Sequence, residues 1–164
     1  RERQRTNVSA LLNEYVNLAY YGVQRADDDF EVTLHREYAR DAVHANVVPQ
    51  DIGRVFVNLL NNAFYAVRER RTKQGAGFEP SVTVRTRTSA EAIEIRVEDN
   101  GTGIPADVRD RIFEPFFTTK PTGSGTGLGL SMSYDIVVHG HGGKLSVQDA
   151  EGGGAALVMT LPVS

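Results

Sequence analysis

The order of short periodic segments predicts a two-layer α/β sandwich, a mixed and mostly antiparallel sheet with helices on one face. Three observations carry that expectation. Three segments repeat apolar residues at three- and four-residue steps, as amphipathic helices do. Five others alternate apolar with polar residues, as half-buried strands do, and the two kinds are interleaved along the chain. The 164 residues, 40% hydrophobic and 24% charged, suit one globular domain.

Residues 7–25 carry Val8, Leu11, Leu12, Tyr15, Leu18 and Ala19 at helical spacing, with Asn7 as the expected cap. Asp27-Asp28-Asp29 ends that pattern, and residues 30–34 alternate as a strand. Pro49 fits the first turn of a second helix, where its missing N–H would be unpaired anyway, and Asp51 suits the positive end of the helix dipole. Ile52, Val55, Phe56, Leu59, Leu60, Ala63 and Val67 then share one face to about residue 70, with Gly75 and Gly77 in the loop beyond. Residues 81–88 and 92–98 form an antiparallel hairpin across a short polar turn. A glycine loop leads to a short helix over 105–112. Residues 113–126, rich in Pro, Thr and Gly, are expected to be mobile. A helix over about 128–138 and strands near 144–147 and 155–161, joined through Glu151-Gly152-Gly153-Gly154, complete the order.

A net charge of -3 gives no global attraction to nucleic acid, so an anion needs a local site. The absence of cysteine excludes a disulfide framework and a thiolate metal site, in keeping with a cytoplasmic location. No apolar run approaches the roughly 20 residues that span a bilayer, so no membrane contact is expected of this segment. Arg1-Glu2-Arg3-Gln4-Arg5 lacks the apolar core of a signal peptide. The expected organisation is a single domain over 1–164, cut from a longer protein that is itself soluble or membrane-anchored.

Three segments carry chemistry. Val97-Glu98-Asp99-Asn100-Gly101-Thr102-Gly103-Ile104 runs a carboxylate at a strand end into a turn with two glycines, which admits a ligand close to the backbone but also suits an ordinary hairpin turn. Gly123-Ser124-Gly125-Thr126-Gly127-Leu128-Gly129-Leu130 leads alternate glycines into a helix start, where unpaired N–H groups suit phosphate; a flexible hinge has the same composition. Asn58 and Asn62 lie one turn apart on an otherwise apolar helix, either tying it to a loop or offering oxygen to magnesium.

In this order the segments resemble the GHKL ATP-binding superfamily and, within it, the sensor histidine kinases, over nearly the whole chain. Asn58-Leu59-Leu60-Asn61-Asn62-Ala63 is similar to the family's N box and Asp99-Asn100-Gly101-Thr102-Gly103 to its first glycine box. Phe113-Glu114-Pro115-Phe116-Phe117-Thr118-Thr119-Lys120 resembles the F box, and Gly125-Thr126-Gly127-Leu128-Gly129-Leu130 the second glycine box.

The resemblance implies a Bergerat ATP-binding fold with a lid over about 113–126, taking ATP and Mg2+. Asp99 then accepts the adenine amino hydrogen, with Gly103 beside the base; an acceptor-only carboxylate favours ATP over GTP. Asn62, with Asn58, holds magnesium. Asn58 and Lys120 are the catalytic candidates, Lys120 as the cation near the γ-phosphate. Tyr65, Ala66, Gly101, Ile104, Phe113, Thr119, Gly125, Thr126, Gly127, Leu128 and Gly129 complete the nucleotide site.

Asn58 also stands where the superfamily's ATPases place a glutamate base, and an amide cannot take a proton from water, so slow hydrolysis is expected. Tyr65 departs from the lysine that many histidine kinases have there, leaving Arg68 or Lys120 to compensate. Phe113, Phe116 and Phe117 are lid anchors or plain core. None of His35, His44, His139 and His141 resembles a phosphoacceptor motif. The phosphoacceptor histidine is therefore expected on a separate dimerisation helix pair, with a response regulator downstream. An anti-sigma-factor-type serine kinase, another GHKL ATPase and a non-catalytic nucleotide sensor are the alternatives.

Overall fold

The computed structural model describes residues 2–117 and 129–163. Strand β1 (Gln4–Asn7) enters helix α1 (Val8–Ala26), capped as expected by Asn7, whose Oδ1 accepts the Ala10 N–H at 3.0 Å. Strands β2 (Thr33–Glu37) and β3 (His44–Val47) precede the long helix α2 (Pro49–Gln74). The hairpin β4 (Ser81–Thr88) and β5 (Ala92–Asp99) follows, then a single turn α3 (Ala106–Arg109). Helix α4 (Gly129–Tyr134) runs on as a π-helical turn over Asp135–Gly140 before β6 (Lys144–Asp149) and β7 (Ala155–Pro162).

The main sheet has the order β2-β4-β5-β7-β6, with β2 parallel to β4 and every other pair antiparallel. The mixed, mostly antiparallel sheet is thus as expected. Strict alternation decides its two faces. Ile93, Ile95 and Val97 of β5 point inward, in register with Leu161, Met159 and Leu157 of β7, and join Phe56, Leu59 and Leu60 of α2 in one buried core. Each fully buried side chain of this size contributes about 1.5–3 kcal/mol. Asp99 ends the same alternation, so the period that builds the core also turns this carboxylate inward, 9% exposed.

The opposite face is polar. Glu98 Oε1 accepts from Arg85 Nη1 and Arg96 Nε, each at 2.5 Å, and Arg85 Nε reaches Glu37 Oε1 at 3.1 Å. Arg85 and Arg96 stand directly opposite in register, so Glu98 between them removes a like-charge clash.

Several elements differ from expectation. β1 and β3 pair as a separate antiparallel ribbon; their polar outward residues hid the alternation, and only Ala45 and Val47 are buried. The strand expected at 30–34 starts at Thr33, because Phe30 and Val32 pack into the core from the loop before pairing begins at Thr33↔Ser81. Helix α2 continues four residues past 70, until Gly75 at φ 80 ends it with its N–H donating to Arg71 O. The helix expected over 105–112 is one turn.

Candidate functional site

Helix α2 sets Asn58, Asn62, Ala66 and Arg70 at four-residue steps, one above the other along a single face. At the first of these, Asn58 Nδ2 donates to Gly129 O at 3.1 Å and to Ser133 Oγ at 3.2 Å, while Ser133 Oγ donates to Gly129 O at 2.8 Å. Both amide hydrogens are spent on α4, and among the described residues no donor reaches Asn58 Oδ1. One turn on, Asn62 Nδ2 donates to Asn58 O at 2.8 Å, which leaves its Oδ1 equally without a described partner. Two amide oxygens one helical turn apart, with no described residue donating to either, suit magnesium, which takes few protein oxygens and completes its shell with phosphate and water.

At the far end of the row, Gly101 lies against Ala66 so closely that a Cβ on it would come 2.5 Å from the Ala66 carbonyl carbon. The Asp99 carboxylate is fixed by backbone: its Oδ1 accepts Gly101 N–H at 2.8 Å and Ala155 N–H at 3.4 Å. Its other oxygen has no described partner. Burial pushes the carboxyl up from 3.8 to about 6, and the two N–H donors only partly offset that cost. A Cβ on Gly154 would fall 1.9 Å from Asp99 O, so the turn before β7 packs directly on this residue. Gly103, at φ 77, faces Gly153 O in the same way. Ile104 packs at the core edge.

The aromatic residues divide. Phe113 packs on the core with its ring 5.4 Å from that of Tyr134, Phe117 lies under the Arg111 guanidinium at 4.7 Å, and Phe116 is 74% exposed at φ 64. Tyr65 hydrogen-bonds Glu69 one turn along, and burial together with that carboxylate raises its phenol above the usual 10.0. Arg68 turns away from the glycine loops, toward Asp27 at 3.9 Å and over the Phe30 ring at 4.7 Å. Thr119, Lys120, Gly125, Thr126, Gly127 and Leu128 lie outside the described residues; Gly129, the first residue of α4, is at the Asn58 amide.

Arg70 and Ser133 went unnoticed in the sequence, Gly154 was read only as part of a connecting loop, and His141, expected at the surface or a strand end, is buried. Arg70 Nη1 donates to Asn100 O at 2.8 Å and Gly152 O at 3.0 Å. Gly154 and Ser133 have the contacts given above. His141, 5% exposed, accepts the Val48 N–H on Nε2 at 3.0 Å while its Nδ1 meets Ile136 O at 2.8 Å, which joins the π-helical turn to the start of α2. Helical spacing was the available signal for Arg70, three turns from Asn58.

Residues 47–164 match the family described as histidine kinase-, DNA gyrase B- and HSP90-like ATPase. Sensor protein FixL of Bradyrhizobium diazoefficiens is 31% identical over 163 residues, 99% of this chain and 30% of that protein. Sensor histidine kinase ZraS of Escherichia coli K12 is 34% identical over 154 residues, again 30% of that protein, so the chain spans less than a third of these relatives. The solved catalytic domain of histidine kinase ThkA superposes with a TM-score of 0.80 at 25% identity, covering 99% of this chain and 98% of that one. The mycobacterial sensor histidine kinase MprB gives 0.75 at 25% identity, with 98% and 97% covered. The chain belongs to the histidine kinase-, DNA gyrase B- and HSP90-like ATPase family, as an ATP-binding domain of the sensor histidine kinase kind.

Proposed function

We propose that the chain holds Mg-ATP along the Asn58–Asn62–Ala66 face of α2 and donates its γ-phosphate to a histidine on a separate dimerisation domain of a longer sensor kinase, which passes it to a response regulator. The observation that carries this reading is the Asp99 carboxylate, buried, aimed by two backbone N–H groups and left with one acceptor oxygen that no described residue contacts. An ionised acceptor matches the adenine amino group and repels the carbonyl that guanine presents instead.

Asn62 and Asn58 would hold magnesium through their Oδ1 atoms. When bound, the metal supplies charge neutralisation for the phosphates. Asn58 has its amide hydrogens committed to α4 and cannot act as a base toward water, so this chain keeps ATP for transfer rather than hydrolysis. Lys120, outside the described residues, remains the candidate cation for the transferred group, and Gly103 and Ile104 flank the base. All 164 residues form one domain in this reading, working in the cytoplasm.

The test is incubation of the chain with γ-labelled ATP and the dimerisation helix pair of its parent protein. Acid-labile label on the helix pair, and none on the chain alone, is expected. Label on serine would indicate the serine-kinase alternative, rapid release of phosphate an ATPase, and nucleotide binding without either a sensor.

A further inference from the structure

Two loops meet over Asp99. One follows β5 through Asn100 and Gly101; the other precedes β7 through Gly152, Gly153 and Gly154, with φ of 87 at Gly152 and 96 at Gly153. The first loop gives one of the two N–H groups that hold Asp99 Oδ1, from Gly101, and Ala155, the first residue of β7 after the second loop, gives the other. The second loop is closed by its own backbone, Ala150 N–H donating to Gly154 O at 3.0 Å and Gly153 N–H to Ala150 O at 3.4 Å, but its glycines have no side chains to tie it to the first loop.

Arg70 supplies that tie. Its Nη1 donates to Asn100 O at 2.8 Å, to Gly152 O at 3.0 Å and, more distantly, to Gly101 O at 3.5 Å. The guanidinium lies 4.6 Å over the Phe78 ring, which keeps it from swinging into solvent. A cation among converging carbonyls offsets their mutual repulsion, and charge-assisted hydrogen bonds are the stronger kind.

We propose that Arg70 is a positioning residue for adenine selectivity: it locks the Asn100-Gly101 and Gly152 loops together, and thereby fixes the two N–H groups that aim the Asp99 carboxylate. The inference deepens the nucleotide-binding role proposed above and rests on it. Arg70 itself touches neither base nor phosphate in this account. Without the lock, the Ala155 N–H drifts from Oδ1, the carboxylate turns freely, and the preference for an amino group over a carbonyl at that position declines.

The test compares Arg70→Met, which keeps a stem over Phe78 but no donor, with Arg70→Lys, which keeps a cationic donor. Calorimetry on the whole chain reads affinity for non-hydrolysable ATP and GTP analogues, and amide hydrogen exchange reads Gly101 and Ala155 without nucleotide. Arg70→Met is expected to lose about tenfold in affinity for the ATP analogue with little change for the GTP analogue. Exchange at Ala155 should quicken, and Arg70→Lys should recover most of both effects. Equal proportional losses for the two nucleotides, or unchanged selectivity and exchange, would overturn the proposal. If Arg70→Met does not fold, Arg70→Gln, with one amide donor, decides by the same ratio. A wild-type chain that binds neither analogue would count against the nucleotide role itself, and the exchange arm alone would then judge the lock.

Discussion

Asn58 Nδ2 donates to Ser133 Oγ at 3.2 Å, and Ser133 in turn donates to Gly129 O at 2.8 Å, so the first residue of α4 and the side chain of α2 share one closed hydrogen-bond triangle. The serine is fully buried. The triangle spends both Asn58 amide hydrogens on α4 and holds that amide beside Gly129, where a Cβ would come 3.9 Å from Asn58 Oδ1.

Ser133→Ala removes one corner. Asn58 keeps Gly129 O but can rotate, and a buried donor loses its partner at a cost of about 1–2 kcal/mol, to be read by urea unfolding. Phosphoryl transfer to a histidine-bearing helix pair should slow more than ADP affinity falls, because the proposed base site at Asp99 lies at the other end of the face. Ser133→Thr, which keeps the hydroxyl, should recover the transfer rate. A loss confined to ADP binding would contradict this division.

Asp99 gives a pH signature with two opposite signs. Its carboxyl is raised to about 6 in the fold against 3.8, so the native state binds the proton more tightly than the unfolded chain. Stability from this group is full below about pH 4 and falls by about 3 kcal/mol as pH rises through 6. Asp99→Asn should flatten that slope and raise stability at pH 7, measured by denaturant titration across pH 4–8. In the proposed site adenine binding needs the ionised acceptor, so wild-type affinity for an ATP analogue should instead weaken as pH falls below about 6, and Asp99→Asn should lack both the affinity and its pH dependence.

Neighbouring glycines before β7 should behave unlike one another. A Cβ on Gly154 would lie 1.9 Å from Asp99 O, whereas one on Gly152 meets nothing within 4 Å and only the strain of φ 87 opposes it. Gly154→Ala is expected to cost about 3 kcal/mol or more and to abolish nucleotide binding. Gly152→Ala should cost about 1 kcal/mol and leave binding measurable. Thermal unfolding with and without nucleotide distinguishes them.

Magnesium dependence tests the paired asparagines. Asn62→Ala removes one of two amide oxygens, so chelating magnesium should weaken ATP-analogue binding in the wild type and make little further difference in the variant, by calorimetric titration. A variant that responds to chelation as the wild type does would move the metal elsewhere.

Much of the architecture was legible because burial is periodic. The apolar face of α2 and the alternation through β4 and β5 survive in sequence, since each side chain there faces one environment. β1 and β3 were not legible, because a short ribbon with an exposed face keeps too few apolar residues to mark a period. In the site, Asn58 and Asn62 stood out as amides on an otherwise apolar helix, and Asp99 as a carboxylate at a strand end running into a turn with two glycines. Arg70, Ser133 and Gly154 did not, because their significance lies in contacts across the chain: 82 residues separate Arg70 from Gly152, and 75 separate Asn58 from Ser133. No local pattern encodes such a meeting. Arg68 was the nearer candidate for a compensating cation, and its engagement with Asp27 and Phe30 is equally non-local.

In the proposed reading, Asp99 and the asparagine row form one Mg-dependent adenine nucleotide site. Calorimetric titration of the chain with a non-hydrolysable ATP analogue, with magnesium and then with chelator, and with a GTP analogue in parallel, tests it most directly. Adenine-selective binding that weakens on chelation and is lost in Asp99→Asn is the predicted result. Equal affinity for the two analogues, or binding that survives Asp99→Asn, would contradict it.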